Sequence, residues 1–208
     1  MALITDYSQP SFYHFSRDSI ELANCVAEHI EFHELVVDKV ADLCCGCGVI
    51  GLEILQKLEE ELLNSIKEIH FVEVQDDYNS HLHRNIEIVK REINGLEYQV
   101  HFENILQFNT VKDFDLIVMN PPYFKNGHGR SSENEKKRTC REYSGDELKS
   151  YIVHAANLLS QNGVLFFVCR EDEQLKELLS GISKNYYIEK VEDAEGFSIF
   201  LLLRSKLH

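Results

Sequence analysis

Apolar and polar positions along the chain switch repeatedly between the period of a helix and that of a buried strand. Ile20, Ala23, Val26, Ala27 and Ile30 recur at helical spacing behind Asp18-Ser19-Ile20-Glu21. That tetrapeptide reads as a capping box, with Asp18 at the N-cap and Glu21 at N3. A first strand is expected from about Val36 to Leu43, followed by a glycine-rich turn. A helix is then expected from about Val49 to Leu63, with Ile50, Ile54, Leu55, Leu58 and Leu62 available for its inner face. Ile69 to Val74 reads as a second strand, Asp77 to Glu92 as a long helix and Tyr98 to Phe102 as a short strand. The apolar run Phe114 to Met119 is a fourth strand. It is stopped by Asn120-Pro121-Pro122-Tyr123, because neither proline can donate a ladder hydrogen bond.

Beyond that stop, Ser144-Gly145-Asp146-Glu147 opens a capped helix that continues through Ile152, Ala155, Ala156 and Leu159. Val164 to Cys169 reads as a buried strand, and Asp172 to Ser183 as a further helix. Tyr186 to Val191 and Phe197 to Leu203 form two β-rich runs around Asp193-Ala194-Glu195-Gly196, which fits a hairpin loop. Strands alternating with helices predict an α/β fold: a doubly wound, mostly parallel, seven-stranded Rossmann-like sheet covered on both faces. The terminal hairpin adds an antiparallel strand. One domain is expected over 1–208, with a lead and helix at 1–35 and the Rossmann-like core at 36–208.

Composition agrees with this picture. At 208 residues and 44% hydrophobic, one core can bury roughly 70% of the unfolded surface. The first ten residues carry neither a basic nor an apolar signal region, and Ile199 to Leu203 is far short of the ~20 residues that span a bilayer. A soluble, cytoplasmic protein without a membrane partner is expected. Cys44, Cys45 and Cys47 crowd one segment while Cys25, Cys140 and Cys169 are scattered, so reduced thiols are expected rather than zinc or disulfides. His81 and His83 stand two apart on a helix and cannot share a face, and no metal site is expected. The net charge of −14 argues against a nucleic-acid partner. Its distribution argues otherwise. Lys125, Arg130, Lys136, Lys137, Arg138 and Arg141 face only Glu133 and Glu135 between Phe124 and Arg141, a basic island on an acidic chain. Such an island suits phosphates.

The chemistry concentrates at strand ends. Asp42-Leu43-Cys44-Cys45-Gly46-Cys47-Gly48 sits where the first strand passes to its helix. Gly46 and Gly48 let the backbone turn tightly and approach a ligand. Gly46-x-Gly48-x-x-Gly51 also reads as a dinucleotide fingerprint. Glu73 closes the second strand, where a carboxylate accepts the two hydroxyls of a ribose, and Asn104 follows the third, placed to meet an adenine edge. A carboxylate at that strand end serves NAD and S-adenosyl-L-methionine equally well. No second substrate domain is apparent, and Asn120-Pro121-Pro122-Tyr123 faces the same crevice, which favours the latter. Asp42 either touches the cofactor or orients the glycine loop. An asparagine amide, a proline carbonyl and an aromatic ring together suit a planar amino group.

Asp42-Leu43-x-x-Gly46-x-Gly48 together with Asn120-Pro121-Pro122-Tyr123 resembles the class I S-adenosylmethionine-dependent methyltransferases. Asn120 to Phe124, the basic loop leading to Arg141-Glu142, Gln9 and the run Phe15 to Ala23 more closely resemble the bacterial tRNA1(Val) adenine-37 N6-methyltransferase family. Two departures stand out. Cys44 occupies the place of that family's first motif glycine, and Thr139-Cys140-Arg141-Glu142 replaces its Ala-Arg-His-Glu. The resemblance implies in-line methyl transfer to an adenine N6 of RNA, with tRNA as partner. It implies a cofactor site of Asp42, Cys44, Gly46, Gly48, Glu73, Asn104 and Asn120. The catalytic set is Asn120, Pro121 and Tyr123: two acceptors for the amine hydrogens and a stacking ring. Tyr123, Phe124, Lys125, Arg138 and Arg141 are the implied substrate contacts, with Phe124 also readable as packing. Two other readings remain open: a glutamine N5-methyltransferase acting on a translation factor, and a cofactor-binding module without catalysis.

Overall fold

The structure, a computed structural model, describes residues 6–93, 95–109, 113–122, 124–125, 135–140, 142–143 and 147–204, the pairs at 124–125 and 142–143 by backbone alone. Strands β1 (Lys39–Leu43), β2 (Glu68–Glu73), β3 (Glu97–Phe102) and β4 (Phe114–Met119) pair in parallel. The two-residue strands β5 (Phe124–Lys125) and β6 (Glu142–Tyr143) pair with each other. β7 (Leu159–Cys169) joins β4 in parallel, and the closing hairpin is β8 (Tyr186–Ala194) and β9 (Phe197–Arg204). β9 inserts antiparallel beside β7, which gives a seven-stranded order of β3-β2-β1-β4-β7-β9-β8.

Central strands covered on both faces should be apolar at nearly every position, and β4 is so at all but Asp115. In β4, Leu116 and Val118 enter one core while Ile117 and Met119 enter the other. On the first face lie α1 (Arg17–Phe32), α2 (Val49–Lys57) and α4 (Asn79–Lys90), which supply Leu22, Val26, Leu52, Leu55, Leu82 and Ile86. On the second lie α6 (Glu147–Leu158) and α7 (Glu173–Ile182), which supply Ile152, Ala155 and Leu175. Each such Leu or Ile contributes about 1.5–3 kcal/mol by leaving water. No helix among the described residues is long and apolar enough to cross a membrane.

Several local expectations are corrected. The first helix begins two residues earlier: Ser16 is the extended N-cap residue, and Asp18 lies inside the first turn. Its Oδ1 accepts from Ser19 N–H at 2.8 Å and from the Ser16 hydroxyl at 2.7 Å. Glu21 does not close a capping box; it pairs with Arg17 at 3.0 Å. The expected helix to Leu63 breaks at Leu58, whose ψ of 142° is extended, and α3 (Glu60–Ser65) starts afresh. Glu60 and Glu61 suit the positive end of a new helix better than the negative end of an old one. The long helix expected from Asp77 opens with a 3-10 turn at Asp76–Tyr78, and the final hairpin loop narrows to Glu195-Gly196. α5 (Glu135–Thr139), inside the basic segment, had no periodic signature. The cap residues expected at 144–146 lie outside the described residues.

Candidate active site

Strand order reverses between β1 and β4, because β1 is followed outward by β2 and β4 by β7. Open α/β sheets bind ligands in the crevice at that reversal, beyond the strands' carboxyl ends. Leu43 is in register with Met119, so Cys44 and Asn120 emerge from adjoining strands. A cavity of about 360 Å³ opens there. Its lining includes Cys44, Gly46, Glu73, Asn104, Asn120 and Pro121 from the expected site.

The glycine loop is held by side chains from three elements. Gly46 N–H donates to Glu73 Oε2 at 2.9 Å, and Gln75 N–H donates to Glu73 Oε1 at 2.8 Å. Burial raises the Glu73 carboxyl while these donors lower it, with burial the larger effect. Gly51 N–H, at the start of α2, donates to Asp42 Oδ2 at 2.9 Å. Asp42 is fully buried and lies behind the cavity wall; its other oxygen has no partner among the described residues. Burial pushes the Asp42 carboxyl up to about 7, against the Gly51 donor, and nearby Glu73 adds to the rise. Gly48 also lies behind the wall. Its φ of +80° and the Leu82 Cδ1 atom 2.6 Å from any added Cβ both demand glycine. Gly46 reaches the cavity with a φ of +53°.

Cys44 adopts a φ of +58°, the left-handed conformation that glycine takes readily and other residues adopt at a cost of about 1–2 kcal/mol. At the place of the resembling motif's glycine, Cys44 thus holds a conformation that glycine adopts readily. Desolvation pushes the Cys44 thiol well up, and the Glu73 and Asp42 carboxylates reinforce this, so it stays protonated and poorly nucleophilic.

Asn104 caps the 3-10 turn Ile105–Gln107, its oxygen accepting from Leu106 N–H at 2.9 Å. Asn120 Nδ2 donates to Ser19 Oγ at 3.0 Å, a bond spanning 101 residues. Lys136 of α5 pairs with Asp77 and sits 5.8 Å over the Phe12 ring, while Arg138 is half-buried. These contacts turn part of the basic segment back onto the body. Phe124 and Lys125 lie in β5, and Tyr123 and Arg141 fall outside the described residues.

Sequence reasoning missed the residues that bring the lead segment to the cavity. Tyr7 donates to Glu53, and Ser8 N–H donates to Asn85 Oδ1 at 2.9 Å. Asn85 Nδ2 in turn donates to the carbonyls of Ser8 and Cys47, clamping the lead to the glycine loop. Gln9, Tyr13, Phe15 and Ser19 consequently join Tyr78, Cys140 and Tyr151 in the wall. A signal was present. Leu82, Asn85, Ile86 and Val89 share one helical stripe, as do Ser19, Leu22, Ala23 and Val26, and each stripe is apolar but for one polar residue.

The cavity chemistry fits S-adenosylmethionine. Among the described residues the lining carries Glu73, Glu103 and Glu147 and no Lys or Arg, which suits a cationic sulfonium. Glu73, at the end of β2, retains lone pairs for ribose hydroxyls, and the bare Gly46 backbone allows close approach.

Known proteins agree with this geometry. The chain is 31% identical over 133 residues to a tRNA1(Val) (adenine(37)-N6)-methyltransferase of Haemophilus influenzae, covering 62% of this chain and 52% of that one. It is 25% identical over 185 residues to a release factor glutamine methyltransferase of Borreliella burgdorferi, covering 80% and 59%. The chain therefore spans little more than half the length of these relatives. A 16S rRNA N2-guanine methyltransferase of T. thermophilus, solved with AdoMet and guanosine, superposes with a TM-score of 0.65 at 18% identity, over 94% of this chain and 45% of that one. The methyltransferase small domain family matches residues 14–201, nearly the whole chain and every element around the cavity, and the protein belongs to this family of class I S-adenosylmethionine-dependent methyltransferases.

Proposed function

We propose that the protein transfers a methyl group from S-adenosylmethionine to the exocyclic N6 amine of an adenine in RNA, with tRNA as the substrate class. The observation that carries this reading is the position of Asn120. It ends β4 beside Pro121, on the same cavity as Glu73 and the glycine loop, with its amide nitrogen engaged by Ser19. The bound cofactor supplies an electrophilic methyl group on a sulfonium.

The protein's part is to hold and polarise the acceptor. An aromatic amine is a weak nucleophile because its lone pair is delocalised into the ring. Asn120 Oδ1 and the Pro121 carbonyl accept its two N–H hydrogens, which favours a pyramidal nitrogen and stabilises the positive charge that grows there. Tyr123 stacks on the base, worth about 1–3 kcal/mol. Glu73 and Asn104 hold the ribose and adenine of the cofactor. Gly46 lets the backbone lie against its methionine arm, and Asp42 keeps the start of α2 in place. Lys125, Arg138 and Arg141 meet phosphates, and Phe124 is a further substrate contact. An anticodon-loop base is reached at lower cost than a duplexed one.

The similarity to an adenine N6-methyltransferase supports this reading, as does basic α5, whose Thr139 lines the cavity with Cys140. A second reading, glutamine N5-methylation of a translation factor, is favoured by the Borreliella burgdorferi relative, since a side-chain amide fits the same acceptors. Tritium transfer from labelled S-adenosylmethionine into unmodified bulk tRNA separates the two. Label in methyladenosine, abolished by Asn120→Ala while cofactor binding persists, is the expected result. Unlabelled RNA with glutamine-labelled protein would overturn the RNA reading.

A further inference from the structure

We propose that Ser19 is a positioning residue for methyl transfer, anchoring the Asn120 carboxamide through its nitrogen so that the oxygen is held toward the acceptor amine. The inference rests on the reading above, in which that amide accepts an amine hydrogen. The two ends of a carboxamide are similar in shape and opposite in chemistry: the oxygen only accepts and the nitrogen only donates. An incoming amine also donates. If the amide were turned over, donor would meet donor and the attacking nitrogen would be repelled. The hold on the far end of the amide therefore bears directly on the rate.

That hold comes from Ser19. Its Oγ lies 3.0 Å from Asn120 Nδ2, and it lines the same cavity. Ser19 is only 4% exposed and stands in the first turn of α1, on the stripe that Leu22, Ala23 and Val26 pack against the sheet. Its backbone N–H is held by Asp18 Oδ1 at 2.8 Å and by the Ser16 carbonyl at 3.2 Å. The Ser16 hydroxyl fixes that same Asp18 oxygen at 2.7 Å. The hydroxyl is thus presented from a braced turn and is not a wandering surface group. Donation from Nδ2 to Ser19 leaves Oδ1 as the accepting end. It also polarises the amide, adding negative charge to the oxygen that meets the developing ammonium. Asn120 forms the hydrogen bond to the substrate, and Ser19 acts through it.

Ser19→Ala removes the hydroxyl and nothing else, at a position where alanine is the better helix former. With S-adenosylmethionine and unmodified bulk tRNA, kcat is expected to fall about tenfold, the loss of one hydrogen bond's orienting effect. The KM for the cofactor should stay within about twofold, since Ser19 braces the acceptor and not the cofactor. Ser19→Thr, which keeps the hydroxyl, should recover most of the rate. In ¹⁵N spectra, the Asn120 side-chain amide protons should shift in the alanine variant and return toward the parent in the threonine variant. A parental kcat in Ser19→Ala, or a threonine variant as slow as the alanine one, would overturn the proposal. Asn120→Ala run alongside separates the two levels. If it still transfers methyl, the functional reading falls and this inference with it. If it is inactive while Ser19→Ala is parental, only the role of Ser19 falls.

Discussion

The two halves of the cavity are secured by different means. On the glycine-loop half, backbone groups are tied one by one to buried side chains: Gly46 and Gln75 to Glu73, Gly51 to Asp42, and the Cys47 carbonyl to Asn85. On the acceptor half, Asn120 reaches across 101 residues to Ser19, and the two prolines that follow bring stiffness but no N–H to anchor. A redundant set of bonds tolerates the loss of one member in function but stores much of the local stability. A single long-range bond contributes little stability and sets one orientation. Substitutions in the first half should therefore appear mainly in unfolding, and those in the second mainly in turnover.

The largest expected effect on the glycine-loop half comes from Asp42. Its carboxyl is pushed from the ordinary 3.8 to about 7, chiefly by burial, so the folded state binds a proton that the unfolded state has released. Its stabilising contribution is full below about pH 4 and is lost as the pH rises to about 7, on the order of 4 kcal/mol over the window. Burial raises the Glu73 carboxyl in the same direction. Asp42→Asn keeps an acceptor for the Gly51 N–H and removes the charge. Urea unfolding at pH 5, 6, 7 and 8 should show a marked decline for the parent and a flatter profile for the variant. An equally steep variant would assign the slope to other groups.

Asn85→Ala comes next. It strips partners from the Ser8 N–H and from the carbonyls of Ser8 and Cys47, and it releases the lead from the loop. A loss of about 3 kcal/mol is expected, seen as a fall of roughly 6–12 °C in melting temperature. Loss of the lead's protection from proteolysis at Tyr7 to Phe15 should accompany it. A melting point within a degree or two of the parent would show that water replaces the clamp.

How far the sequence revealed this arrangement depends on the range over which each feature is determined. β4 and its stop at Asn120 are read correctly because the apolar run and the prolines act locally. The parallel sheet and reversed final strand follow from element order alone. The broken helix at Leu58 was hidden by leucines that continue the helical period while Glu59, Glu60 and Glu61 restart a helix. Asp18 looked like a cap because its spacing to Glu21 was right, yet Ser16 took the extended position. Cys44, Gly46, Glu73, Asn104, Asn120 and Pro121 meet at one cavity, whereas Asp42 and Gly48 stand behind its wall. The contacts of Ser19 and Asn85 went unread because partners 101, 77 and 38 residues away leave no periodic trace. What they do leave is a polar residue on an apolar stripe.

The glycines sharpen the contrast within a single loop. Gly48→Ala places a Cβ 2.6 Å from Leu82 Cδ1 and 3.3 Å from Phe71 Cε1, at a φ of +80°. Backbone strain and overpacking together should cost about 2–3 kcal/mol. An alanine at Gly46 meets Tyr78 at an ordinary 3.4 Å, so only the strain of its φ of +53° is felt, about 1–2 kcal/mol. Gly46 lines the cavity and Gly48 does not. Calorimetry with S-adenosylmethionine should thus find weakened binding in Gly46→Ala beyond its loss of stability. In Gly48→Ala, binding should hold at temperatures where the protein stays folded. The reverse ranking would move the ligand to the far side of the loop.

The smallest effect belongs to Cys44. Cys44→Gly relieves the cost of a φ of +58°, about 1–2 kcal/mol. It also frees the unfolded chain, which returns about 0.4–1 kcal/mol to the other side. The difference is a net gain of about 0.5 kcal/mol, a rise of one or two degrees in melting temperature. Cys44→Ala retains the Cβ and should show no such gain. The thiol also packs against the second core cluster. If Cys44→Gly instead melts several degrees below the parent, that packing outweighs the strain. The residue would then be a wall of the cavity in its own right and not a tolerated substitute for glycine.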